Sequence, residues 1–159
     1  DREMGNLSLP AKPGEPITHA TITALVPDAR AANIVGLVAA IGRGDRAKSL
    51  DILDTLIREG EYLPIALAFL ATQFRLALAA HEARVKGSMQ IQGHFTKLGT
   101  PMWRARAEQV EQTMTAFAPG RLKRAMLLVY AADQALRDTR PDDKTVMEDF
   151  VWKVTAKAD

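Results

Sequence analysis

The chain has 159 residues, a formal net charge of +2 and no cysteine. The missing thiols exclude disulfides, cysteine-ligated zinc, iron–sulfur clusters and a thiol nucleophile. The near-balanced charge supplies no strong field toward nucleic acid or anionic lipid. A chain of this size buries roughly 70% of its extended surface, enough for one full core. Aromatics make up only 6% of it, while alanine and leucine abound, which favours helix packing over a sandwich of strands. Absence of cysteine fits the cytoplasm. No uninterrupted apolar run reaches the roughly 18 residues that span a bilayer, and no signal peptide opens the chain. The start, Asp1-Arg2-Glu3 without a methionine, suggests a piece of a longer protein.

Pro10, Pro13 and Pro16 forbid a helix near the start and suggest an extended linker. Ile17 to Val26 is read as a short helix with Thr18 as N-cap. Pro27-Asp28 breaks it, and Asp28 can cap the next. From Ala29 to Ile41, the residues Ile34, Leu37, Val38 and Ile41 fall at i, i+3, i+4 and i+7, one buried helix face. Gly42 is expected at the C′ position. Asp45 then caps a helix to Gly60 whose inner face is Leu50, Leu53, Leu56 and Ile57.

Pro64 suits the first turn of a helix running to about Val85. Its apolar residues, among them Ile65, Leu67, Phe69, Leu70, Phe74, Leu76 and Leu78, cover most of its circumference. It is expected at the centre of the domain. Lys86-Gly87-Ser88 ends it, and a short helix follows from Met89 to Leu98. Gly99-Thr100-Pro101 reads as a stop and a restart, with Gly99 at C′, Thr100 as N-cap and Pro101 at N1. The next helix carries Trp103, Val110, Met114 and Phe117. After Pro119-Gly120, another inner face runs through Leu122, Ala125, Met126, Val129, Ala132 and Leu136. Arg140-Pro141 stops it. Asp142 caps a last helix with Val146, Met147, Phe150, Val151 and Val154 inward. No segment alternates with period two over strand length, so the class is all-α, a compact bundle of about seven helices.

Candidate chemistry is thin. Gly42 to Ser49 nearly fits the phosphate loop G-x-x-x-x-G-K-[ST], but Ala47 stands where the second glycine must let backbone N–H groups wrap a phosphate. The preceding segment has helical rather than strand period. His19, His81 and His94 share no helix face, so no metal site is expected, and no cofactor either. Asp51 with Asp54, and Glu108 with Glu111, are spaced for outer helix faces; acid–base work would need a cleft that shifts their pKa values. Asp133 and Arg137 at i, i+4 form a surface ion pair or a contact to a partner subunit. Arg104 and Arg106, and Arg121 with Arg124, head two basic clusters that could lie close to DNA phosphates. Neighbouring Glu82, Glu108 and Glu111 dilute the first. A free-standing helical DNA-binding domain is therefore the alternative reading. Its recognition helix after Gly42-Arg43-Gly44 would have Arg46, Lys48 and Arg58 offset by Asp51, Asp54 and Glu59, which argues against it.

The order of these elements resembles the C-terminal region of the bacterial DNA polymerase III delta subunit, a clamp-loader component. The matching parts are Ile17-Thr18 to Val26 and the helix from Asn33-Ile34-Val35-Gly36-Leu37-Val38 to Ala40-Ile41-Gly42. They continue with Asp45 to Gly60, the Pro64 helix with Gln73-Phe74-Arg75, Arg104-Ala105, Phe117, and Leu122 to Leu136 with Ala132-Asp133. The resemblance implies that residues 1–28 are a linker and the end of a lid domain, and 29–159 a helical collar. It implies a non-catalytic assembly role in DNA replication within a DNA polymerase holoenzyme. The collar would pack with gamma/tau and delta-prime. It would reach the sliding clamp only through an N-terminal module outside this chain, contact DNA weakly or indirectly, and touch no membrane. Gln73, Arg75, Asp133 and Arg137 are the candidate partner contacts.

Overall fold

The structure is a computed structural model that describes residues 28–138 and 140–157, with side chains from residue 32 onward. Contacts divide the chain at Ala31/Ala32, and the packed core lies in the second unit, Ala32–Asp159. The helix expected over Ile17 to Val26 and the prolines before it lie outside the described residues, as does any Asp28 cap contact.

Among the described residues there are seven helices and no strand: α1 (Asp28–Gly42), α2 (Arg46–Arg58), α3 (Leu63–Glu82), α4 (Gly87–Lys97), α5 (Arg104–Ala116), α6 (Pro119–Ala135) and α7 (Asp143–Val154). The α3 helix packs on α5 and α6, α4 packs on α5, and α7 packs on both α6 and α2. One apolar cluster gathers Ile34, Leu37, Ile41, Leu53, Leu56, Leu70, Phe74, Phe117, Leu122 and all five predicted inward residues of α7. A second joins Ala80, Ile91, Phe95, Met102, Ala107 and Val110. Among the described residues only α3 contributes fully buried residues to both, through Phe74 and Ala80, which gives the apolar girth of this helix its purpose. By length and mean composition α3 could also cross a membrane. Here Leu63, Ala66, Leu67, Leu70, Phe74, Ala77 and Ala80 are buried against neighbouring helices instead. The inner faces read for α6 and α7 agree with the burial, except that Met126 and Leu136 are only partly covered. Ile65, counted among the apolar residues of α3, is exposed.

The caps follow local chemistry. Asp45 Oδ1 accepts from the Lys48 amide at 3.0 Å, and Asp142 Oδ1 from the Thr145 amide at 2.9 Å. The hydroxyl and backbone N–H of Thr145 hold the Asp142 carboxyl below its ordinary pKa. Its capping contribution is therefore present above the unfolded-state value and fades as pH falls through the lower folded one.

Several boundaries differ from the sequence reading. Gly42 is the last helical residue of α1, and the left-handed C′ position belongs to Gly44, at φ +72°. The amides of Gly44 and Asp45 bond Ile41 O and Ala40 O, a Schellman turn. Gly42 is small for another reason: a Cβ there would lie 2.6 Å from the Ala116 Cβ and 3.1 Å from the Phe117 ring. The α3 helix stops at Glu82 because Arg84 takes the left-handed conformation, φ 57°, and closes the same kind of turn without glycine. Thr100 and Pro101 do not start α5, which begins at Arg104. Trp103 and Phe117 flank that helix rather than belonging to it. Pro119 opens α6 instead of merely breaking the chain.

Candidate interaction surface

The segment resembling a phosphate loop is the turn between α1 and α2. Ser49 is buried, and its Oγ donates to the Asp45 carbonyl at 2.7 Å, so the hydroxyl serves the helix start. His81 Nε2 lies 3.1 Å from the Phe117 carbonyl oxygen, tying the end of α3 to the start of α6. Among the described residues no three His, Asp or Glu side chains could hold a metal ion together. The carboxylate pairs lie on outer faces: Asp54 meets Arg58 at 3.2 Å, Asp51 meets Lys48 at 3.8 Å, and Glu108 meets Arg104 at 2.9 Å.

The four arginines read as close to DNA are spent on the protein itself. Arg104 holds Glu108 as above. Arg106 Nη1 donates to the Pro101 carbonyl at 2.7 Å, and its guanidinium sits 5.3 Å from the Trp103 ring centre. Burial lowers its pKa. Arg121 donates to Gly42 O and, at 2.7 Å, to Ile41 O, which also accepts from the Gly44 amide, at the end of α1. Burial first, and then the nearby charge of Arg124, lower the Arg121 pKa. Arg124 donates to Lys153 O at 3.1 Å and to Ala156 O at 3.3 Å.

Arg46 joins this set from α2. It bonds Trp152 O and Thr155 Oγ1, each at 3.0 Å, and lies 3.9 Å over the Trp152 ring. Three arginines thus clamp the C-terminal ends of α1 and α7, where cations meet the negative end of the helix dipole. Spacing in the sequence gives no sign of this, because the Arg121 contact joins residues 79 apart. Arg121→Met is expected to cost about 1–3 kcal/mol, since it removes the guanidinium from the part-buried Gly42 carbonyl and leaves Ile41 O with the Gly44 amide alone. Urea unfolding at neutral pH measures it, and a change near zero would mean water replaces the clamp.

The candidate partner contacts separate. Gln73 is buried at 4% exposure, and its Oε1 has no hydrogen-bond partner. Arg75 is exposed on α3 and donates to Thr72 Oγ1 at 3.3 Å. Asp133 and Arg137 pair at 2.9 Å on the outer side of α6. They line a shallow hollow with Tyr130, Gln134 and Asp138. Gln134 Nε2 donates to the Tyr130 hydroxyl at 2.9 Å. Leu127 and Tyr130, one turn before the ion pair, are 72% and 64% exposed. The sequence reading missed both. Their signal was available as a leucine and a tyrosine three apart on the face opposite Leu122, Ala125 and Val129. The outward face of α6 therefore combines an apolar patch with a fixed ion pair, the mixture found at protein–protein contacts.

A family model for the DNA polymerase III delta subunit, C-terminal domain, matches residues 31–154. The Bacillus subtilis DNA clamp loader delta protein (YqeN) has a similar fold, with a TM-score of 0.68 over 87% of this chain at 21% sequence identity. The chain spans 40% of that protein's length. A comparison with curated proteins gave no match. With the match running from α1 to the end of α7, the chain belongs to the family formed by the C-terminal domains of DNA polymerase III delta subunits.

Proposed function

We propose that this chain works as the collar of a clamp loader. It is a non-catalytic assembly domain that packs with gamma/tau and delta-prime during clamp loading in DNA replication. The observation that carries the reading is the family match over residues 31–154. The exposed Leu127 and Tyr130 beside the Asp133–Arg137 pair support α6 as the packing face, because buried aromatic and apolar anchors carry most interface energy. In this reading residues 1–28 are a linker and the end of a lid, and 29–159 form the collar. Contact with the sliding clamp goes through an N-terminal module outside this chain, and the domain works in the cytoplasm. The DNA-binding alternative is the weaker one. Arg46 of the would-be recognition helix is held against Trp152 and Thr155 by α7, and Arg121 and Arg124 are clamped on helix ends.

The test is the double variant Leu127→Asp, Tyr130→Asp. Both positions are exposed, so its helical circular dichroism and melt should match those of the parent chain. Its affinity for gamma/tau and delta-prime should fall at least about tenfold, the equivalent of ~1.4 kcal/mol. Unchanged affinity in a folded double variant would rule out this face.

A further inference from the structure

A cavity of about 410 Å³ opens where the turn after α1, the first turn of α6 and the tail after α7 meet. That volume suits a small ligand group. Arg43 lines it from the turn, Arg121 and Arg124 from α6, and Lys157 from the tail, and no acidic side chain lines it. Five other cations, Lys48, Arg58, Arg104, Arg137 and Lys153, each meet a carboxylate on their own helix. Among the described residues the four at the cavity meet none.

Their hydrogen bonds do not alter this balance, because a carbonyl accepts an N–H without cancelling a charge. Arg121 and Arg124 each use Nη1 and Nη2 on carbonyls. A guanidinium has further N–H groups to offer beyond these. Arg43 and Lys157 are exposed, and among the described residues their side chains have no partner. Like charges gathered without a counter-charge repel. After burial, the charge of Arg124 is the cause that lowers the Arg121 pKa, so these two guanidiniums feel each other.

The group that relieves this repulsion is an anion. A carboxylate is flat and brings one charge. The four cations approach from three separate segments of the chain. A phosphate group is tetrahedral, and as a monoester it carries about −1.5 to −2 at pH 7 with three acceptor oxygens. It can therefore meet donors from several sides, and arginine forks match it. Gly120 brings the positive end of the α6 dipole to the same lining.

We propose that this cavity binds a phosphate group, held by Arg43, Arg121, Arg124 and Lys157. The site goes beyond the assembly role and uses neither Leu127 nor Tyr130, so the two readings fail separately.

The probe is inorganic phosphate, added to the isotope-labelled chain at fixed ionic strength, with acetate in a parallel titration. The amides of Gly44, Gly120 and Ala156 should shift and saturate with phosphate, and acetate should bind at least about tenfold more weakly. The double variant Arg43→Gln, Lys157→Gln should keep the parent melt and lose at least about tenfold in phosphate affinity. The control Lys86→Gln, Lys97→Gln removes the same charge around α4 and should bind as the parent does. Absence of saturation, shifts scattered over the surface, equal affinity for acetate, unchanged affinity in the first variant, or an equal loss in the control would each overturn the proposal. Oligothymidylate strands with and without a 5′-phosphate then identify the source. Tighter binding of the phosphorylated strand assigns a DNA end. Equal binding of both, tighter than inorganic phosphate, assigns backbone phosphates. Binding of inorganic phosphate alone assigns a free phosphate.

Discussion

Phe74→Ala is expected to destabilise the chain by about 3–5 kcal/mol, a large fraction of the stability of an ordinary domain. Phe74 is fully buried on α3, which among the described residues is the helix that gives fully buried residues to both apolar clusters. Its ring meets Phe117 edge to face, with centres 5.2 Å apart and planes at 63°. Alanine loses the transfer energy of the ring, leaves a cavity, and removes an aromatic pair worth about 0.5–1.5 kcal/mol beyond area burial. Phe117 starts the link from α5 to α6, and its carbonyl lies against His81. The cavity therefore opens where three helices meet, and rigid helices cannot easily collapse into it. Urea unfolding measures the loss. A change below about 1 kcal/mol would contradict the central position of α3.

Gly42→Val should cost about 2–3 kcal/mol. In an exposed helix, replacing glycine usually stabilises, because the unfolded chain loses freedom. Gly42 is different. The first carbon of any side chain would stand 2.6 Å from the Ala116 Cβ, which is tied directly to the backbone of α5. Relief requires α1 and α5 to move apart. That movement would also pull the Gly42 and Ile41 carbonyls away from Arg121. Gly93 is the internal control. It lies in α4, where an added Cβ would meet no atom within 4 Å, so Gly93→Ala should stabilise by about 1 kcal/mol. Thermal melts of the two variants, run side by side, should move in opposite directions. A stabilising Gly42→Val would mean that the α1–α5 contact is loose.

How much of the fold was legible follows from the range over which each feature is determined. The faces of α6 and α7 repeat every three or four residues, so Leu122 to Ala132 and Val146 to Val154 could be read directly. Asp45 and Asp142 cap their helices within three residues and were equally readable. Gly42 shows the limit. Beside Gly44 it looks like a helix stop, but its size is dictated by Ala116, far along the chain. Arg84 closes a left-handed turn that glycine usually closes, so α3 was read too long. The arginines show the same limit at the surface. Arg121 and Arg124 look like a basic cluster in sequence, yet each is directed at carbonyls of another helix end. Gln73 stood out through its neighbours Phe74 and Arg75. Its burial and its unpartnered oxygen depend on how α1 and α5 close over α3, and no spacing encodes that.

The central claim is that this domain itself carries assembly contacts, and mixing it with purified gamma/tau and delta-prime tests that claim most directly. Size-exclusion chromatography at low and high salt is the measurement. Co-elution at both salts is the predicted result, because Leu127 and Tyr130 offer an apolar contact that salt does not screen. Separate elution of a folded chain at both salts would contradict the claim.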